Sequence, residues 1–310
     1  MANQRWECID AGSDYCPCYL AETMDCITCS HLKGKEFCDC EWTGVCIYQA
    51  YIFEGNKKKG IREDIRVPII EAKEYGDNVI IFTLKVPHTL ARELKQPGAY
   101  VFIRSEKYNN FFDIPISIMD SDINRDLIKL AVEIHGVKTK KVKDIKDYLT
   151  IRGPYWNGLL GLKNLKQMKD SNCLFLVRGI AQAPAILAIN HLLRNNNTIN
   201  LIIDKGNINY NFMKIHTKIN ELKNCNLYEK TTIDFINKEI SLQNYDLVFI
   251  GGSDHLKDTL YGSINKLNKI KSVITNNNEI CCGEGICGSC TIYDIDGMPI
   301  KTCKSQIITN

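Results

Sequence analysis

The sequence has no apolar run long enough to span a membrane. Its longest candidates, Leu174 to Val177 and Leu247 to Ile250, are strand-sized. It has little charge imbalance: a net +3 over 310 residues is too small to argue for a nucleic-acid or anionic-membrane partner. The opening MANQRWECID is polar and acidic, without the basic region and apolar stretch of a secretion signal. These absences give the expectation of a cytoplasmic protein with no nucleic-acid and no membrane partner. Cysteine is nearly missing from the middle, where the 234 residues from Ile47 to Ile280 hold only Cys173 and Cys225.

The two ends are the opposite. Of 15 cysteines, eight lie between Cys8 and Cys46 and five between Cys281 and Cys303. Structural disulfides are rare in a reducing compartment, so clustered thiols point to metal or redox chemistry. Apolar residues at 45% and charged residues at 24% are ordinary for a globular chain, and 310 residues suit two or three domains.

Residues 1–56 read as a small Cys-rich module spaced Cys8-x7-Cys16-x-Cys18-x7-Cys26-x2-Cys29-x8-Cys38-x-Cys40-x5-Cys46. So short a segment buries little apolar surface, which favours a metal holding it together. Cys16, Cys18, Cys26, Cys29, Cys38 and Cys40 form three hooks for a second metal site, either an additional iron–sulfur cluster or zinc. His31 is a candidate ligand in a zinc version. Glu54 to Gly60 reads as a polar linker.

From Ile65 to Gly158 the rhythm is that of short strands. Val67–Glu71, Asn78–Val86, Ala99–Arg104, Ile114–Met119 and Leu127–His135 are separated by turn residues, which predicts an antiparallel barrel. After Cys173 the pattern becomes alternating strand and helix. Cys173–Val177, Thr198–Asp204 and Tyr245–Ile250 are strands, while Ala185–Leu193, with Pro184 at its first position, and Leu256–Leu267 are helices. The class is therefore multidomain, a barrel followed by an α/β domain.

Cys282-Gly-Glu-Gly-Ile-Cys287-Gly-Ser-Cys290, with Cys303 after twelve further residues, has the x4, x2 and distant-fourth spacing of a plant-type [2Fe–2S] site. Glycines at 283, 285 and 288 suit a loop that wraps a cluster with positive φ angles. A zinc knuckle would use two close hooks, and only one is present. Cys281 is a spare thiol or a substitute for Cys282.

On these pieces the last 250 or so residues resemble the electron-transfer subunit of class 1B dihydroorotate dehydrogenase, within the ferredoxin–NADP reductase superfamily. The small subunit of NADH-dependent ferredoxin–NADP oxidoreductase shares that architecture. The resemblance implies an FAD-binding β-barrel at 62–160, an NAD(P)-binding α/β domain at 168–272 and a [2Fe–2S] segment at 273–310. Ile114-Pro115-Ile116-Ser117-Ile118 is similar to the Arg-Pro-Ile-Ser-Ile flavin motif, whose serine sits near flavin N5, so Ser117 is the catalytic candidate. Gly136 to Thr139 resembles the Gly-x-Gly-Thr turn, and Gly153, Pro154, Asn157 and Gly158 resemble the loop that approaches the phosphates. Gly179 to Pro184 looks like the first turn of the nicotinamide domain, and Gly251-Gly252 stands at the nicotinamide edge. Ile114 replaces the family's pyrophosphate-pairing arginine, for which Arg104 and Lys138 are candidate substitutes. Asp204 is a candidate ribose partner.

The implied activity is electron transfer between NAD(P)H and a one-electron carrier such as ferredoxin, through FAD and [2Fe–2S]. The alternatives are an electron-transfer subunit wired to a catalytic dihydroorotate dehydrogenase chain, and a non-enzymatic redox sensor or metal-binding scaffold. The Cys-rich module lies outside the resemblance.

Overall fold

The computed structural model describes residues 5–76, 78–143, 145–208, 210–213, 225–228, 244–264 and 270–308. The end of the expected Leu256–Leu267 helix therefore lies outside the described residues. Strand β1 (Arg5–Cys8) opens the chain, followed by short helical turns at Tyr19–Glu22 and His31–Lys33 and a helix at Ile47–Phe53.

Six strands then close an antiparallel barrel in the order β2-β3-β6-β5-β4-β7. They are β2 (Asp64–Tyr75), β3 (Val79–Lys85), β4 (Tyr100–Arg104), β5 (Ile114–Asp122), β6 (Leu127–Glu133) and β7 (Tyr148–Tyr155). Closure removes the open edges that invite mispairing. The interior is filled by β-branched and aromatic side chains, among them Phe82, Val101, Ile103, Ile118, Val132 and Ile151. Strand β7 is the one that sequence reasoning missed. Its Gly153-Pro154 punctuation reads as a turn, but it falls at the end of a strand, beyond the residues that pair with β2.

Beyond the barrel, β8 (Leu159–Leu160) leads into the α/β domain, whose further strands are β9 (Asn172–Arg178), β10 (Thr198–Asp204), β11 (Cys225–Tyr228), β12 (Leu247–Gly251) and β13 (Lys271–Thr275). Their order is β11-β10-β9-β12-β13-β8, parallel except where β8 joins β13. The chain thus starts at β9, builds one way, and returns to build the other way from β12. The helix Gln182–Arg194 begins earlier than expected. A 3₁₀ turn at Gly179–Ala181 feeds straight into it, so Pro184 occupies the third position rather than the first. The missing N–H is still among the four that have no intrahelical partner. This helix packs against the sheet, and its Leu187 reaches the barrel core. Burying such a leucine contributes about 1.5–3 kcal/mol.

The C-terminal segment adds a hairpin of β14 (Thr291–Tyr293) and β15 (Pro299–Lys301) and a last strand, β16 (Ser305–Ile308). β16 pairs antiparallel with β1, placing Cys8 opposite Ser305. The two cysteine-rich ends are therefore sewn together. Among the described residues no helix is long and apolar enough to cross a membrane.

Candidate functional site

Cys282, Cys287, Cys290 and Cys303 are brought together. Cys303 interacts with Cys282 and Cys290, and Cys287 with Cys282, closely enough for each to shift the others' protonation. The interaction with Cys303 is the largest influence pulling Cys282 down to about 4 and Cys290 to about 6, against the opposing effect of burial. Cys303 is pushed up in return, first by the interaction with Cys282. The Cys282 sulfur also accepts the Glu284 N–H at 3.3 Å. Gly283 must be glycine, for its φ is +73° and a Cβ there would lie 2.6 Å from the Tyr155 ring.

Behind the loop, Tyr100, Phe102 and Tyr155 form an aromatic wall with Ile280, Cys290 and Cys303. Tyr100 and Tyr155 are stacked at 5.1 Å. The Tyr100 hydroxyl is buried and has no hydrogen-bond partner, an expensive state for a polar group. A sulfide-bearing cluster seated among these thiols would offer it an acceptor, so the residues fit a [2Fe–2S] group. Among the described residues no three His, Cys, Asp or Glu side chains are grouped as ligands of a single metal ion. A [2Fe–2S] core asks for a different arrangement, four thiolates shared between two irons.

The second feature is a crevice of about 630 Å³ between barrel and α/β domain. Pro115, Ile116 and Ser117 of β5 form one wall, and Gly179, Ile180 and Pro184 after β9 form the opposite one. Gly252 and Ser253 after β12, with Thr275 and Asn276 after β13, complete it. β9 and β12 are adjacent and lead in opposite directions through the sheet, so their C-terminal ends mark the topological switch point, where α/β sheets bind ligands. Gly252 has φ +157°, and a Cβ on it would meet Leu256 at 2.8 Å.

Gly158 also lines this crevice, but Ile114, Gly136, Thr139, Gly153, Pro154, Asn157 and Gly251 are not among its walls. Ile114 is buried in the barrel core. Thr139 Oγ1 accepts the N–H groups of His135 and Gly136, forming a local cap. Asn157 is fully buried: its amide donates to the carbonyls of Thr302 and Ser305, and its Oδ1 accepts from Gln306 at 2.5 Å. It clamps the barrel exit to the cysteine segment. Arg104 and Lys138, the candidate replacements for the flavin-motif arginine, are engaged within the protein. Arg104 pairs with Asp64 and Asp113, and Lys138 donates to the Asp113 carbonyl at 3.0 Å. Asp204 pairs with Arg178 at 3.3 Å and accepts the Gly206 N–H.

No family model and no curated protein matches the sequence. Solved structures do. The fold is that of the ferredoxin–NADP reductase type. The structure of an NADH-dependent reduced ferredoxin–NADP oxidoreductase is similar with a TM-score of 0.61 at 17% identity, over 78% of this chain and 87% of that one. Phthalate dioxygenase reductase, which carries electrons from pyridine nucleotides to [2Fe–2S], gives 0.53 at 13%, over 79% and 96%. The ferredoxin reductase of carbazole 1,9a-dioxygenase gives 0.52 at 12%, over 68% and 69%.

Sequence reasoning also missed a buried four-charge network joining the chain's ends. Lys304 Nζ lies 2.5 Å from Asp10 and 2.9 Å from Glu284, and Arg62 bonds the same two carboxylates at 3.0 and 3.2 Å. Arg62 is also stacked on Tyr15 and Tyr155 and donates to the Pro154 carbonyl. Burial pushes the Asp10 carboxyl up, but Lys304 and Arg62 outweigh it and hold its pKa below the usual value. Burial likewise opposes the charge on Lys304, and Asp10 and Glu284 outweigh it. Each residue is separated from its partners by tens or hundreds of positions, so no local spacing signals the network.

Proposed function

We propose that this chain moves electrons between NAD(P)H and a one-electron carrier of the ferredoxin kind, with FAD in the crevice and a [2Fe–2S] cluster on Cys282, Cys287, Cys290 and Cys303. One observation carries the reading. Tyr100 of β4 is paired with Ser117 of β5, which lines the crevice, while the Tyr100 ring packs with Cys290 and Cys303. A single pair of adjacent strands therefore links the two candidate cofactor sites.

When bound, FAD converts the two-electron chemistry of a nicotinamide into the one-electron chemistry of an iron–sulfur centre. The protein's part is to position and to exclude. Pro115, Ile116 and Ser117 present an apolar strand with one hydroxyl to the barrel side of the crevice. Gly179, with nothing within 4 Å of where a Cβ would stand, leaves the end of β9 open for close approach of a dinucleotide, while Gly252 lets Leu256 pack closely at the end of β12. The aromatic wall of Tyr100, Phe102 and Tyr155 keeps water from the inner face of the thiols.

The test is anaerobic purification, with flavin identified after denaturation, iron and acid-labile sulfide measured, and NAD(P)H-driven reduction of ferredoxin assayed. Bound FAD, cluster absorbance and ferredoxin reduction by the chain alone support the reading. Reduction of ferredoxin only after addition of a catalytic dehydrogenase chain moves the function to an electron-transfer subunit. Protein without flavin refutes both.

A further inference from the structure

We propose that Cys8, Cys16, Cys18 and Cys26 hold a second iron–sulfur cluster, set directly against the C-terminal cysteine loop so that the two centres exchange electrons. The proposal deepens the reductase reading by giving that pathway a further station.

The ligand set is not the one suggested by spacing. Cys8, outside the three sequence hooks, joins Cys16, Cys18 and Cys26 around one enclosed cavity, sealed by Leu20, Ala21, Ile27 and Ile47. Cys18 is the electrostatic neighbour of the other three thiols. Cys38 and Cys40 instead face each other, sulfur to sulfur at 3.6 Å and near the surface, and are not part of that cavity. His31 turns its ring nitrogen to the Lys35 carbonyl.

One of the four sulfurs already accepts a backbone N–H, that of Cys26 from Cys29 at 3.4 Å. The backbone N–H groups of Asp10, Gly12 and Thr28 favour the thiolate forms of Cys8, Cys16 and Cys26 in turn. Amides aimed at sulfur are how a protein stabilises the negative charge of cluster thiolates and sets the cluster's potential. Four soft donors suit iron and sulfide, and the Asp10 carboxylate on the same wall is already paired with Lys304 and Arg62. The cavity is small, about 10 Å³, so seating a cluster requires the four side chains to rotate outward.

Position supplies the second line of argument. β1 ends at Cys8 opposite Ser305, two residues beyond Cys303, and Ile9 donates to the Lys304 carbonyl at 2.8 Å. By strand geometry the two chain segments run on the order of 5 Å apart. Leu20 lines the thiol cavity and also abuts Gly285 of the C-terminal loop, within 3.1 Å of the place a Cβ would take. Leu20 and the buried Lys304, which bonds Asp10 on the cavity wall and Glu284 in the loop, lie between the two groups of thiols. An electron passing between them oxidises one cluster as it reduces the other. No bond forms or breaks and no proton moves. NAD(P)H is the source, and the one-electron carrier is the final acceptor.

The experiment uses full-length protein prepared anaerobically. Iron, acid-labile sulfide and zinc are counted per chain, and paramagnetic resonance spectra are recorded after dithionite reduction. Iron in excess of the two atoms of a [2Fe–2S] centre, no stoichiometric zinc, and two signals broadened by mutual coupling are expected. Cys18→Ser should lose the extra iron and the broadening while keeping the C-terminal signal. Cys287→Ser should do the reverse, and Cys38→Ser should change neither. If Cys18→Ser does not fold, Cys16→Ser is read in the same way. Two irons only, stoichiometric zinc, or loss of the extra iron in Cys38→Ser but not in Cys18→Ser overturns the proposal. Two coupled clusters in a protein that binds no flavin would instead refute the reductase reading and leave the second site standing.

Discussion

Replacing Lys304 with methionine removes one cation from the buried network and keeps most of its apolar stem. Asp10 and Glu284 are then left to share Arg62 alone. The Lys304 side chain is 1% exposed and that of Asp10 3%, so water screens the loss little. Removing one partner of a buried ion pair costs about 3–5 kcal/mol. With a urea slope of about 2–3 kcal/mol/M, the unfolding midpoint at pH 7 falls by roughly 1–2.5 M. The pH dependence has a defined sign. Asp10 has a depressed pKa in the folded protein, so its stabilising effect is present above its unfolded value of 3.8 and is lost as pH falls through the folded one. In Lys304→Met, burial is opposed only by Arg62, the folded pKa rises, and acid destabilisation begins at a higher pH. Neutralising the stranded carboxylate with Asp10→Asn recovers part of the loss, with a coupling of about 1–3 kcal/mol between the two sites. Urea titrations between pH 4 and 8, followed by tryptophan fluorescence, measure all of this. A loss below about 1 kcal/mol, the size of a surface pair, with no change in pH profile, would show that the network does not hold the two ends together.

Three further outcomes are expected. Gly283→Ala forces a side chain into the Tyr155 ring from a positive-φ position; iron and sulfide counts should drop by one [2Fe–2S] equivalent while flavin is retained. Tyr100→Phe deletes the buried, unpartnered hydroxyl. If that hydroxyl bonds the cluster, redox titration should show a C-terminal potential lower by roughly 20–60 mV, the equivalent of a hydrogen bond of about 0.5–1.5 kcal/mol, and an unchanged potential sinks the assignment. Gly252→Ala pushes a methyl into Leu256 at the crevice edge; stopped-flow flavin reduction should need roughly tenfold more NAD(P)H, the effect of about 1.4 kcal/mol of lost binding, and equal saturation curves would argue against nicotinamide binding there.

The barrel and the α/β domain were legible because their signals are local. Strands such as Val79–Lys85 and Leu247–Gly251 announce themselves by composition, and the turns between them by glycine and proline. The cysteine spacing from Cys282 to Cys303 was legible for the same reason, since it lies within one short stretch of chain, and the fold brings those four side chains together. Ser117 and Gly252, proposed from motif resemblance, line one crevice. Local reading failed where a residue serves two purposes. Gly153-Pro154 punctuates the chain yet ends a strand, and Asn157 reads as a loop residue yet is a buried clamp.

The amino-acid sequence by itself determined the order of barrel and α/β domain, the periodicity of each element and the spacing of the C-terminal cysteines, all set by neighbours within a few positions. The tertiary structure alone decided that β1 pairs with β16, that Lys304 meets Asp10 from 294 residues away, and that Cys8 rather than Cys38 faces Cys18. Such contacts follow from chain closure and burial, and depend on which surfaces are left to cover once the barrel and sheet have formed.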